Sequence, residues 1–186
     1  MGLFVSQQEK WVKKHIDTPW NRMFTGFEQV DAMITKLMVY KCVSFADRLL
    51  ASDLFSTENL AIRIETILLA KMHFYHVATK SATVHNLFYG YIYELWINHY
   101  HEDVETANLA LGKMHDLEKW YLTWYYDFYD DNNGSFIHVI KHYCENTKNI
   151  KTSDGSAVLT CESEDLHQYA AKLLMDMHIG FMAEMK

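Results

Sequence analysis

Three histidines lie within the fourteen residues MHFYHVATKSATVH, and their imidazoles are the groups in this chain best suited to chemistry. Imidazole nitrogens are ligands of zinc, iron and haem, while a neutral imidazole is also suited to a hydrogen bond inside a helical core. His73 and His85 are the first candidates for binding a metal or a haem-type cofactor, and His99 and His101 are the next. We interpret His76 as a buried neutral histidine, because its segment is apolar on nearly all sides. For the same reason we expect His73 to be buried, whereas His101 adjoins a polar helix start and is expected to be more exposed.

A second pair, His138 and His142 in HVIKH, lies four positions apart, which places both imidazoles on one face of a helix. This spacing is suitable for zinc or iron, and His167 is the candidate for a third ligand. The alternative, which we favour, is a solvated helix face beside a loop.

The chain lacks the motifs of the common catalytic sites. It contains no GxSxG, no glycine-rich phosphate loop and no HExxH. Its single ExxH, from Glu164 to His167, supplies one of the two copies that a di-iron carboxylate bundle needs. Acidic residues in the first turn of a helix explain this motif more simply. The sequence therefore predicts no catalytic residues.

The elements that position these histidines are predicted to be helices. One residue of 186 is proline and seven are glycine, whereas 49% are hydrophobic and 15% aromatic. Few helix breakers and many large apolar side chains favour long helices over a turn-rich β fold. The predicted fold is an all-α, up-down bundle of at least four helices with a C-terminal helical extension.

Hydrophobic spacing and capping residues indicate where the helices begin. Residues 1–134 are predicted to form the bundle, and residues 135–186 a helical extension that belongs to the same globular unit. The predicted helices begin near Ser6, Thr25, Ser56, Thr83, Asp103, Phe136 and Ser163.

Composition also limits the partners and the compartment. The formal net charge is −7 and there is no dense basic run, so nucleic acid is not a predicted partner. The three cysteines are widely spaced and form no CxxC pair, which favours a reducing, cytoplasmic location. No apolar run reaches the length of about 18 residues that a membrane-spanning helix requires.

Roughly residues 20–130 resemble a hemerythrin-like domain. WNRMFTGFEQVDAMITKL resembles the opening of that family, MHF resembles its second-helix His-Phe, and LEKWYLTWY resembles its last-helix pattern. The resemblance implies that His73 is equivalent to an iron ligand, and that His85 with Tyr89 stands in place of the third-helix HxxxH. The opening matches at Trp20, Gly26, Asp31 and Leu37.

Three positions depart from the ligand pattern of the family. Ile34 and Trp124 stand where the first and last helices of the family carry ligand histidines, and Val77 replaces a carboxylate. Each iron of a di-iron centre needs several ligands and a bridging carboxylate. An intact di-iron centre is therefore not expected, and iron or haem would depend on the remaining histidines.

Together these features predict a cytosolic, non-catalytic sensory or regulatory module that binds a small ligand, a metal or a haem-type cofactor. The alternative is a cofactor-free protein-interaction module, an inhibitor or adaptor whose acidic surface binds a basic partner. The last helix is predicted to contact a protein partner or a second copy of the chain, because its apolar residues recur at helical spacing. They are Leu166, Ala170, Leu173, Met177 and Phe181.

Overall fold

The computed structural model describes residues 7–16, 27–52, 60–78, 81–122 and 164–184. These residues form six α-helices and no strand, which confirms the predicted all-α helical bundle. None of the helices in this part of the chain combines the length and apolar character needed to cross a membrane. The helices are α1 (Gln7–His15), α2 (Phe27–Leu50), α3 (Leu60–Ala78), α4 (Ala82–Asn98), α5 (Val104–Leu122) and α6 (Glu164–Glu184).

The central helix of the bundle is α2, which packs against α3, α4 and α6. The short α1 lies against α2 and α4, and α5 packs on α3 and α4. A helix with neighbours on several sides needs apolar residues around much of its circumference. In α2 these include Met38, Cys42, Phe45 and Leu49, each with at most 1% of its surface exposed.

Helix α4 begins two residues earlier than the sequence predicts. The prediction that Thr83 is its N-cap is wrong, because Thr83 lies inside α4 and Ser81 is the cap. The Ser81 hydroxyl accepts a hydrogen bond from the Val84 N–H at 3.4 Å. At the start of α5 the prediction is confirmed, since the Asp103 carboxylate accepts the Thr106 N–H at 2.7 Å.

The apolar face of α6 is covered within the chain. Ala170, Leu173, Met177 and Phe181 are all buried, and α6 packs against α2. Near the end of the helix, Glu184 accepts a hydrogen bond from Lys41 at 2.8 Å. These four residues of the predicted stripe are therefore part of the core of this chain, whereas the side chain of Leu166 lies outside the described residues. A partner of α6 would have to bind another face.

The helix that carries most of the candidate chemistry is α3, which is buried from Ile64 to Phe74 without interruption. This stretch is apolar except for four polar side chains, and α3 contacts both α2 and α5. Polar groups at such positions must find partners inside the protein, because water does not reach them. The four are Glu65, Thr66, Lys71 and His73.

Candidate functional site

Lys71 is a charged side chain with no exposed surface in the middle of the bundle. It projects from α3 towards α4 and α5, where its ammonium donates a hydrogen bond to Glu118 Oε1. Its Nζ also lies 3.1 Å from His85 Nδ1. The rings of Phe88 and Tyr89 face the ammonium, with centroids 5.7 and 5.3 Å from Nζ. Rings in this position stabilise a cation.

The carboxylate of Glu118 is the point at which these side chains meet, and only 5% of that residue is exposed. Its Oε1 accepts from Lys71, its Oε2 accepts from the Tyr89 hydroxyl, and His85 Nδ1 lies 3.7 Å from Oε1. Helices α3 and α4 therefore supply the polar groups, and α5 supplies the carboxylate that they surround. We call these four residues the Lys71 cluster.

Two imidazoles form the outer edge of the Lys71 cluster. The ring of His115 stacks on Tyr89, with centroids 3.9 Å apart and an angle of 23° between the planes. His85 contacts the same ring edge-on at 5.3 Å. His115 is exposed and the His85 side chain is 31% exposed, whereas Lys71 is fully buried. The cluster is thus closed at the amine and reaches the surface at the imidazoles.

Burial determines the protonation of the groups around Glu118. It lowers the pKa of Lys71 to about 7, whereas the Glu118 carboxylate in contact with Nζ favours the charged ammonium. Burial raises the pKa of Tyr89, so the phenol keeps its proton and acts as a donor. Burial also lowers the pKa of His85 to about 4, with smaller contributions from the charges of Lys71 and His115. His85 is therefore neutral at pH 7. Burial raises the pKa of the Cys42 thiol well above its usual range.

The second candidate site is a pair of histidines between α3 and α6. His73 Nε2 lies 3.3 Å from His178 Nδ1, and the two rings are 5.2 Å apart at an angle of 65°. His73 is only 1% exposed, which confirms its predicted burial. Phe74 and Phe181 pack beside the pair with their ring centroids 5.2 Å apart. Burial lowers the pKa of His178, which favours its neutral form.

His99 belongs to an aromatic group that joins α1 to α4. Its ring lies 4.6 Å from that of His15 and 5.4 Å from that of Trp11. Burial, followed by the charge of His99, lowers the pKa of His15. His101 lies in the turn after α4, is exposed, and has a φ of 60°. Its predicted exposure is confirmed.

An ion pair beside His99 connects α2 and α3. Arg63 donates to Asp47, and its guanidinium stacks 4.6 Å from the ring of Tyr100. Burial raises the pKa of Asp47, but the hydrogen bonds from His99 and Arg63 outweigh this effect and lower it overall. Because every one of these groups ties one helix to another, we assign this region a structural role.

The two histidines predicted first, His73 and His85, belong to different clusters. His73 faces α6, whereas His85 faces the space between α3 and α5. His138 and His142 lie outside the described residues. For His167 the described part is the backbone of α6, and its side chain also lies outside.

The sequence interpretation missed Lys71, Glu118 and His178. A signal for Lys71 exists, because it is a lone charge in the apolar run ILLAKMHF, and such a charge needs a partner. Glu118 lies four positions after Met114 of the apolar stripe of α5, so it shares that helix face, which also indicates burial. Nothing in the sequence pairs His178 with His73, since 105 positions separate them.

Within the described residues, no group of three or more His, Cys, Asp or Glu side chains is arranged to hold a metal ion. Comparison with known proteins adds no family: no protein-family model, no curated protein and no solved structure matches the chain. The function is therefore inferred from the geometry of the Lys71 cluster and of the His73–His178 pair.

Proposed function

We propose that the chain is a cytosolic, non-catalytic regulatory module that binds a small carboxylate, such as acetate or formate, between α3, α4 and α5. The binding groups are those that surround Glu118 in the Lys71 cluster. A free carboxylate competes with Glu118 for them, and binding is read out as a change in how α5 packs on the bundle.

The observation that carries this proposal is the set of groups around one carboxylate. An ammonium contacts one oxygen and a phenol donates to the other, while the neutral imidazole of His85 accepts from the ammonium at 3.1 Å and helps to position it. Hydrogen bonds from a cation to a carboxylate are stronger than neutral ones, and two oxygens with separate donors fix the orientation of the group. A small carboxylate presents the same two oxygens and the same charge as the Glu118 side chain.

Charge balance supports exchange of one carboxylate for another. Breaking a buried ion pair by removing one partner is costly, because the other charge stays buried without compensation. When a free carboxylate replaces Glu118, Lys71 keeps an anionic partner throughout. The charge inside the bundle does not change, while the Glu118 side chain moves towards solvent.

The competing group is part of the same chain, which sets the expected affinity. An intramolecular ligand acts at an effective concentration of millimolar or above, so a free carboxylate must exceed that concentration to displace it. We expect a dissociation constant of about millimolar or weaker for the wild-type chain. A module with this affinity responds to abundant metabolites and ignores trace ones.

The positions of the helices supply an entry route and an output. His85 and His115 lie at the accessible edge of the Lys71 cluster, and movement of these two rings opens it. Helix α5 packs against α3 and α4, and Glu118 is its polar link to both. Release of Glu118 therefore loosens α5 and leaves the packing of α2 on α3 in place.

The experiment is an NMR titration of the full chain with sodium acetate, with sodium chloride at equal ionic strength as the reference. We expect saturable shifts of amides in α3, α4 and α5 for the wild type. Binding to Glu118→Ala should be at least roughly tenfold tighter, because the internal competitor is gone. Lys71→Met should abolish the shifts, and the exposed variant His101→Asn should behave as wild type. Equal responses from Glu118→Ala and Lys71→Met would refute the proposal.

A second candidate function is the cofactor-free interaction module, and the outer face of α6 favours it. Met175, Ile179 and Met182 are 43%, 61% and 37% exposed and recur at helical spacing. An apolar stripe of this kind suits contact with another protein or a second copy of the chain. Sedimentation velocity over a concentration series tests the second copy: self-association lost in Ile179→Lys supports it, and a monomer throughout contradicts it.

A further inference from the structure

The distance between the two imidazoles of the α3–α6 pair matches a metal site. His73 Nε2 and His178 Nδ1 are 3.3 Å apart. Zinc binds imidazole nitrogen at about 2.0–2.1 Å with tetrahedral geometry, so two nitrogens on one zinc ion are separated by about 3.3–3.4 Å. Without a metal ion the two nitrogens are within reach of an N–H···N hydrogen bond, and the same separation equals the edge of a zinc tetrahedron.

The two rings come from different helices and meet between them. His73 comes from α3 and His178 from α6, with an angle of 65° between the ring planes. Different ring orientations allow both nitrogens to point at a common position beside the line that joins them. Binding therefore requires each ring to tilt until both lone pairs point at one ion.

The position between the two rings is buried on the side of His73 and accessible to solvent on the side of His178. His73 is 1% exposed and packs against Phe74, whereas His178 is half-buried. The buried ring fixes the position of one ligand, and the half-buried ring leaves a route for an ion and for water. Zinc sites with fewer protein ligands complete their coordination with water.

We propose that His73 and His178 form a two-histidine site for a divalent transition-metal ion, with Zn²⁺ as the probe, and that the ion clamps α6 onto α3. With two protein ligands the site binds more weakly than the closed four-ligand sites that hold structural zinc. Its role is to make the attachment of the last helix depend on the metal. This site does not depend on the carboxylate proposal, because it uses neither Lys71 nor Glu118.

The predicted effect follows from linkage between binding and opening of α6. An ion that binds only when both rings are in place lowers the population in which α6 is detached by the factor 1 + [Zn²⁺]/Kd. At a free zinc concentration of about ten times Kd, amide exchange in α6 should slow roughly tenfold if it proceeds through detachment. Exchange in α4, which does not carry either ligand, should change less.

The experiment is hydrogen exchange of the full chain with and without Zn²⁺, in wild type, His73→Gln, His178→Gln and His101→Asn. We expect the slowing of α6 exchange in wild type and in His101→Asn, and its loss in both glutamine variants. The chain has other histidines that could bind zinc. If α6 exchange still slows with zinc in either glutamine variant, the effect comes from another site and the proposal is wrong.

A second measurement needs no variant. Two-bond ¹H–¹⁵N spectra of the wild-type imidazoles report which ring nitrogens bind an added metal ion. Zinc should shift His73 Nε2 and His178 Nδ1 together and with the same midpoint. Shifts confined to other histidines, or no shift of either ring, would overturn the proposal even if the glutamine variants failed to fold.

Discussion

Replacing Lys71 by methionine should reveal how strongly the buried Lys71–Glu118 pair couples the helices. The variant keeps an unbranched side chain that is one atom shorter and removes the ammonium that contacts Glu118 Oε1. Glu118 is 5% exposed and would keep a negative charge inside the bundle with the Tyr89 hydroxyl as its neutral donor. Losing one partner of a buried pair typically costs about 3–5 kcal/mol.

An upper limit on this loss follows from protonation of the glutamate. Neutralising a carboxyl group with the ordinary pKa of about 4.3 costs about 3.7 kcal/mol at pH 7 and about 1 kcal/mol at pH 5. We therefore expect Lys71→Met to lose about 3–4 kcal/mol of unfolding free energy at pH 7. At pH 5 the loss should fall to about 1 kcal/mol, because the variant can then protonate Glu118 at little cost.

The assay is urea unfolding followed by the helical circular dichroism signal, at both pH values, with the slope m checked for constancy. The matched control is Lys71→Met with Glu118→Gln, which leaves no charge in the cluster and keeps an acceptor for the Tyr89 hydroxyl. This double variant should be within about 1 kcal/mol of wild type at both pH values. A loss for Lys71→Met below about 1 kcal/mol at pH 7, or a double variant as unstable as the single one, would refute the reasoning.

Three further predictions use other parts of the bundle. Between pH 6.5 and pH 4, His85 binds fewer protons in the folded chain than in the unfolded chain. The free energy of unfolding should therefore fall by at most about 3 kcal/mol as the pH is lowered through this window. Urea unfolding of His85→Gln should show a smaller loss over the same pH range. Thermal melts should show a loss of about 1–3 kcal/mol for His73→Ala and about 0.5 or less for His101→Ala, and equal shifts would contradict the difference in burial. Phe181→Ala should cost about 3–5 kcal/mol in urea unfolding, because its ring is fully buried, whereas a loss under about 1 kcal/mol would mean that α6 is not part of the core.

Helices were the predictable part of this molecule, because their apolar residues repeat with a period that local sequence already contains. The stripe of α6 was found in this way, and so was the burial of His73 among apolar neighbours. The N-cap of α4 was misplaced since Ser81 and Thr83 are both good caps two positions apart, and hydrogen-bond geometry decides between them. Local patterns therefore fix where helices lie more reliably than where they begin.

The two clusters could not be predicted, since each depends on how separate helices are rotated against one another. Lys71 and Glu118 are 47 positions apart, and they meet only when α3 and α5 present those two faces to each other. A rotation of either helix by one position, about 100°, would separate them. The candidate pair His73 and His85 failed to come together for the same reason, because Lys71 and His73 project from different sides of α3.

Chemical rescue by acetate tests the central claim, that the Lys71 cluster is a receptor for a carboxylate, most directly. Truncating Glu118 to alanine removes Cγ and the carboxylate group, and acetate consists of the same heavy atoms. The midpoint of thermal unfolding of Glu118→Ala should therefore rise with acetate concentration, well beyond the effect of matched sodium chloride, while Lys71→Met with Glu118→Ala should show no such rise. Equal shifts with acetate in wild type, in Glu118→Ala and in the double variant would contradict the account.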